Sequence, residues 1–178
     1  MLRKLPLPVW LALRLFMGLK RKKIPGHEFS GEVEAVGSRV TRFKKGDQVF
    51  GTTTALNVGA NAEYVCVPQA WDGGALAHKP PNVTHEQAAA VPVGAMTALY
   101  LLQEGNVERA RTVLVYGASG SVGSYAVQLA RTFGAEVTGV AGTRNVELVK
   151  SLGAARVLDY TKEDFTANGA TYDLIFDA

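Results

Sequence analysis

The sequence predicts an α/β fold: a small, mostly β, barrel-like unit followed by part of a doubly wound parallel sheet. Three observations carry that expectation. Short β-like runs punctuated by glycines fill the chain before Pro80-Pro81. Beyond that point strand-like and helix-like patterns alternate, the signature of parallel strands joined by helical crossovers. Gly117-Ala118-Ser119-Gly120-Ser121-Val122-Gly123 then falls directly between a strand pattern and a helix pattern.

The bulk numbers fit a globular protein. The 178 residues allow one domain or two small ones, 47% are hydrophobic and 20% charged, and the net charge is +3. Part of that charge is the run Lys20-Arg21-Lys22-Lys23. No nucleic-acid-binding pattern accompanies the run, so it reads as a solvated surface and no nucleic-acid partner is expected. The stretch Val9–Met17 is interrupted by Arg14 and is far shorter than the roughly 20 apolar residues of a spanning helix. It reads as a short amphipathic helix, and no membrane partner is expected. The lone cysteine, Cys66, can form no internal disulfide, reads as a small strand residue, and fits a reducing, cytoplasmic setting.

The first unit, residues 1–85, has strand-like runs around Val33, Ala35 and Val40, at Gln48-Val49-Phe50, and at Ala62–Val67. Gly37, Gly46, Gly51 and Gly59 mark the turns between them. The second unit covers 86–178. At its boundary Thr84-His85-Glu86-Gln87 has the form of a capping box, so a helix starts there. Pro92 interrupts that helix, and another runs to about Leu102, with Gly105 as its stop. Thr112–Tyr116 is an apolar run suited to a buried parallel strand. Val122, Ala126, Leu129, Ala130 and Phe133 recur at helical spacing over 121–133, and Gly134 fits the residue just past the helix end. Glu136–Val140 is the next strand, Val146–Leu152 a helix ended by Gly153, and Val157-Leu158 a short strand. Thr161–Asp164 resembles another helix cap, and Asp173–Phe176 is a fourth strand.

The glycine loop carries the chemistry. Gly117 allows a tight reversal, Gly120 lets the backbone approach a pyrophosphate, and Gly123 lets the helix pack on the sheet. Free amides at a helix start, with the helix dipole, favour phosphate. Three glycines at this spacing inside a strand–helix–strand unit point to a dinucleotide cofactor rather than an ordinary turn. An NAD-preferring site places a carboxylate about 20 residues beyond the glycines, against the ribose 2′-hydroxyl. Here Ala141-Gly142-Thr143-Arg144-Asn145 offers none. A hydroxyl at Thr143 and a guanidinium at Arg144 suit a 2′-phosphate instead, with Tyr160 within reach, so NADPH is the expected cofactor.

Gly26-His27-Glu28-Phe29-Ser30-Gly31, Val36-Gly37, Gly46–Gly51, Ala62-Glu63-Tyr64, Ala88–Pro92 with Thr97-Ala98-Leu99, the glycine loop, Gly153-Ala154 and Asp159-Tyr160 together form a pattern. That pattern resembles the medium-chain dehydrogenases/reductases, and within them the zinc-independent NADPH:quinone oxidoreductase, or zeta-crystallin-like, branch. The resemblance implies a partial GroES-like β-barrel followed by a partial Rossmann domain. It implies an oxidoreductase that moves a hydride from NADPH to a quinone or an α,β-unsaturated carbonyl compound. By the same resemblance Ser119, Gly120, Ser121 and Val122 hold the pyrophosphate, Thr143, Arg144 and Tyr160 surround the 2′-phosphate, and Thr97 lies near the nicotinamide. Many members carry lysine where Asn145 stands. The full-length form is expected to be a homo-oligomer.

Zinc-dependent relatives use the His-Glu of the first motif at the metal. No cysteine precedes His27, Val93–Met96 replaces a second cysteine region, and the chain from Gly51 to Ala62 has no cysteine. Too few ligands remain for tetrahedral zinc, so no metal is expected and His27 reads as a hydrogen-bonded structural histidine. The sequence shows no acid–base triad and names no catalytic residue; the cofactor supplies the hard step. With four Rossmann strands of six and about two dozen residues before Gly-His-Glu, the chain reads as shortened at both ends. An exposed sheet edge, marginal stability and weak turnover are therefore expected. The competing reading is a non-catalytic dinucleotide-binding or interaction protein.

Overall fold

Two separate sheets organise the described residues. The computed structural model describes residues 24–167 and 169–178. The amphipathic stretch at 9–17 and the basic run at 20–23 lie outside the described residues. In the first sheet, β1 (Glu28–Glu32), β2 (Gln48–Thr52) and β3 (Leu76–His78) form an antiparallel ladder in that order. Ser30 stands opposite Phe50, and Phe50 opposite Ala77.

Two expected strands are corrected. The run around Val33, Ala35 and Val40 is not a strand; β1 lies just before it. Val33 prolongs the pairing only through its amide to Asp47 C=O (2.9 Å) and its carbonyl to Gly46 N–H (2.9 Å), before the turn at Gly46. Ala62–Val67 joins no ladder among the described residues either. Its alternation faces no partner surface: Tyr64 is 76% exposed and Cys66 is exposed, so Cys66 is not a packed strand residue. The third position in the sheet is taken by Leu76–His78 instead.

The capping box forms as the sequence dictates. Thr84 Oγ1 accepts from the Gln87 amide (3.2 Å), and Gln87 Oε1 accepts from the Thr84 amide (3.0 Å). Helix α1 (His85–Ala89) is a short turn and a half, and α2 (Pro92–Glu104) starts with proline in its first turn, where no amide partner is lost.

The second sheet contains β4 (Thr112–Tyr116), β5 (Glu136–Ala141), β6 (Arg156–Asp159) and β7 (Leu174–Asp177), all parallel, in the order β6-β5-β4-β7. Between them run α3 (Ser121–Thr132) and α4 (Val146–Ser151). The chain moves outward from β4 to β6 and then crosses back to lay β7 on the other side of β4. That reversal is the switch point where a doubly wound sheet opens a crevice at the carboxyl ends of its strands.

Alternation along the strands sends Val113, Val115 and Val137 to one face. There they meet Ala98 and Leu102 of α2, Ala126, Val127 and Ala130 of α3, and Val149 of α4 in one buried core. Leu114, Val140 and Leu158 point the other way into a smaller cluster, closed by Phe165 and Tyr172 rather than by a helix. The cap expected at Thr161–Asp164 starts no helix. The carboxylates of Asp159 and Asp164 accept from the Thr161 and Thr166 amides (3.0 and 2.9 Å), and side chains that turn the backbone locally compete with helix formation.

Candidate functional site

β4 delivers the chain to the crevice, and the turn that follows reverses it. Gly117 adopts φ +72°, a conformation side chains resist, and a Cβ there would lie 2.6 Å from the Ala178 carbonyl oxygen. At the other end of the turn, a Cβ on Gly123 would run into the Gly117 carbonyl, so only glycine lets α3 approach this closely. Gly120 is the N-cap of α3, and no side chain caps the helix. The amides of Ser121, Val122 and Gly123 therefore lie ahead of the first intrahelical bond, from the Ser124 amide to Gly120 C=O at 2.9 Å. Uncapped amides at the positive end of a 12-residue helix are a general setting for anion binding.

The loop after β5 is joined to this turn. Asn145 Nδ2 donates to Ser119 Oγ at 3.1 Å. Residues 143–145 form a 3-10 turn in which Thr143, Arg144 and Asn145 are exposed. Arg144 makes no hydrogen bond or ion pair among the described residues, which leaves its guanidinium available to an anion. Tyr160 is 56% exposed, its amide reaches Ala141 C=O (3.3 Å), and its hydroxyl packs over Gly142. An open depression of about 370 Å³ continues from there, lined by Tyr160–Phe165.

One carboxylate at this crevice escapes a search for an acid on the second strand. Asp159 ends β6, is 7% exposed, and accepts from Thr143 Oγ1 at 2.6 Å and Thr161 Oγ1 at 2.7 Å. Thr143 and Thr161 hydroxyls are themselves 2.8 Å apart, and Lys162 Nζ is 3.5 Å from the carboxylate. The Thr143 hydroxyl first, then Thr161, lower the Asp159 carboxyl from 3.8 to about 2, against the burial that raises it. Its position at the carboxyl end of a parallel strand was the available signal.

The structure thus brings Ser119, Gly120, Ser121, Val122 and Gly123 together with Thr143, Arg144 and Tyr160 on one crevice. Thr97 is more distant in kind: it is exposed on α2, one turn past Gly94, whose backbone abuts Ser121 and Tyr125.

The Gly-His-Glu residues have other work. Glu28 Oε1 accepts from the Val93 amide at 2.8 Å, so a strand of the first sheet caps the helix that leads to the second. Burial, and then the Glu28 charge, raise the Tyr125 phenol above its ordinary value. His27 is exposed, and among the described residues its imidazole makes no hydrogen bond, which corrects the expectation of a hydrogen-bonded structural histidine. Among the described residues no three His, Cys, Asp or Glu side chains stand together as a metal site. One oxygen of Glu28 is thus taken up by the start of α2.

Two family models match the chain: the alcohol dehydrogenase GroES-like domain over residues 11–81 and the zinc-binding dehydrogenase over residues 121–178. The chain belongs to the medium-chain dehydrogenase/reductase family. Within this dehydrogenase/reductase family, a chloroplastic quinone-oxidoreductase homolog of Spinacia oleracea is 38% identical over 174 residues, covering 92% of this chain and 51% of that one. A 2-methylene-furan-3-one reductase of Solanum lycopersicum is 37% identical, covering 87% and 41%. The quinone oxidoreductase structure from Coxiella burnetii superposes with TM-score 0.78 at 33% identity, covering 93% of this chain and 51% of that one. The chain spans about half the length of the curated relatives it matches. The α/β architecture, a GroES-like part followed by a Rossmann-like sheet, is the dehydrogenase/reductase fold. No helix among the described residues is long and apolar enough to cross a membrane.

Proposed function

We propose that the chain carries the dinucleotide site of an NADPH-dependent, zinc-independent reductase of quinones or α,β-unsaturated carbonyl compounds. The observation that carries this reading is the uncapped first turn of α3, linked through Ser119 and Asn145 to a loop whose Arg144 has no partner among the described residues. Ser119, Gly120, Ser121 and Val122 hold the pyrophosphate, with Gly117 and Gly123 shaping the turn. Arg144 and Tyr160 face the 2′-phosphate, and Thr97 the nicotinamide. The reduced nicotinamide supplies the hydride; the chain binds and orients it. The names of relatives support the substrate class, among them an NADPH-dependent alkenal/one oxidoreductase of Arabidopsis thaliana. The engagement of Glu28 by the Val93 amide supports independence from zinc.

For separating the two parts we propose the division 1–85 and 86–178, supported by a GroES-like match that ends at residue 81 and a parallel sheet that begins at Thr112. A reducing compartment such as the cytoplasm suits the exposed Cys66 thiol, and a homo-oligomer is proposed for a protein of the relatives' full length.

Calorimetric titration tests the reading. NADPH should bind more tightly than NADH. Arg144→Ala should weaken NADPH by about tenfold or more, the worth of a hydrogen bond between charged groups, and leave NADH unchanged. Equal affinity of the wild type for both nucleotides would remove the NADPH assignment. Quinone-dependent NADPH oxidation by a protein of the relatives' full length, with no stoichiometric zinc by metal analysis, completes the test; its absence would favour a non-catalytic nucleotide-binding role.

A further inference from the structure

Two hydroxyl protons and three short contacts set a problem at the end of β6. Thr143 Oγ1 lies 2.6 Å from Asp159 Oδ2, Thr161 Oγ1 lies 2.7 Å from Asp159 Oδ1, and the two hydroxyl oxygens lie 2.8 Å from each other. Each hydroxyl has one proton to give, and an ionised carboxylate has none. Bonds to a charged acceptor are the stronger, so the Thr143 proton goes to the carboxylate, and Thr161 is the donor in any hydrogen bond between the two hydroxyls. The Thr143 oxygen, on an exposed residue, then has no proton left to donate.

A phosphate is itself an acceptor, and an oxygen whose proton is already committed cannot donate to it. The same oxygen can accept from a ribose 2′-hydroxyl. We infer that Asp159 is a specificity-positioning residue: by holding the Thr143 proton it makes Thr143 an acceptor that favours an unphosphorylated ribose, and it leaves the 2′-phosphate to Arg144 and the Tyr160 hydroxyl. This rests on the dinucleotide reading above and changes the role that the family resemblance gives Thr143. The negative charge of Asp159, only partly offset by Lys162 at 3.5 Å, acts in the same direction. The site therefore keeps a sizeable affinity for NADH, and the strength of its NADPH preference is set from β6 rather than only from the loop after β5.

The experiment is calorimetric titration of NADPH and NADH into the full chain in four forms: wild type, Asp159→Asn, Thr143→Val and Thr143→Ser. In Asp159→Asn the side-chain amide must donate to one of the two threonines, which frees a hydroxyl proton as it removes the charge. The NADPH-to-NADH affinity ratio should rise about tenfold. Thr143→Val deletes the acceptor, so NADH should weaken several-fold and the ratio should again rise. Thr143→Ser keeps the hydroxyl and should hold the wild-type ratio, which a purely structural role of the threonine methyl would not do. A Thr143→Val variant that loses NADPH selectively, lowering the ratio, overturns the inference while leaving the dinucleotide reading intact. So does an Asp159→Asn variant that folds, by its thermal melt, with an unchanged ratio. A wild type that binds neither nucleotide overturns both.

Discussion

Gly117 shows how a single backbone angle decides the site. At φ +72° an alanine would be strained, and its methyl would press on the Ala178 carbonyl, which β7 holds in place through the Ala178 amide bond to Tyr116 C=O at 3.2 Å. Strain of this kind costs about 1–3 kcal/mol. Gly117→Ala should lower the melting temperature by several degrees and abolish nucleotide binding, measured by a thermal melt with and without NADPH. An unchanged melt with intact binding would show that the turn relaxes freely. Asn145 matters for a different reason. It is an exposed amide on a loop, yet its bond to Ser119 joins the turn after β4 to the loop after β5.

Among elements, the contact from β1 to α2 joins the two halves. Val93 is in the first turn of α2, where amides lack intrahelical partners, and Val91 at the N-cap has no side chain to serve them. Glu28 supplies that cap from another sheet. Loss of a capping side chain costs about 1 kcal/mol. Glu28→Ala should therefore lower the urea midpoint measurably, while Glu28→Gln, which keeps the acceptor oxygen but not the charge at the helix dipole, should recover more than half of the loss. Equal loss in both variants would assign the effect to charge rather than to the hydrogen bond. If Glu28 held a metal instead, added zinc would raise the urea midpoint of the wild type and of neither variant.

For the whole molecule, acid stability and association follow from where carboxylates and apolar edges lie. Asp173 accepts from the Arg111 and Thr112 amides and the Thr112 hydroxyl, which tie the start of β7 to β4 and lower its carboxyl below the ordinary 3.8, the Thr112 amide most. Asp159 is lowered to about 2. Folded-state values below the unfolded ones mean stability that is complete above the ordinary carboxylate range and lost as pH falls through the folded value. For Asp159 that window runs from 3.8 down to about 2. Urea midpoints should thus drop steeply below pH 4, and less steeply in Asp159→Asn and Asp173→Asn; parallel pH curves for all three proteins would contradict the assignment. Association is the second property at this scale. Among the described residues β7 pairs only with β4, and Ile175 on it is 64% exposed. An apolar open edge templates strand pairing. Light scattering should show concentration-dependent association that Ile175→Lys reduces, whereas an equally monodisperse wild type would show the edge to be harmless.

Local rules determined much of this protein before any coordinates. The capping box at Thr84, the apolar run of β4, the helical spacing along α3 and the glycines around it each follow from neighbours within a few residues, so the second sheet, its helices and the glycine turn were legible. What the sequence misplaced was pairing: nothing local distinguishes Ala62–Val67, which alternates but has no partner among the described residues, from Leu76–His78, which joins β2. Strand identity depends on a second chain segment, and that is a tertiary property. The same reason hid Asp159 and Glu28. A carboxylate's role is fixed by which donors reach it, and those donors, Thr143 from the next loop and Val93 from 65 residues away, come within hydrogen-bonding distance only when the sheets are assembled.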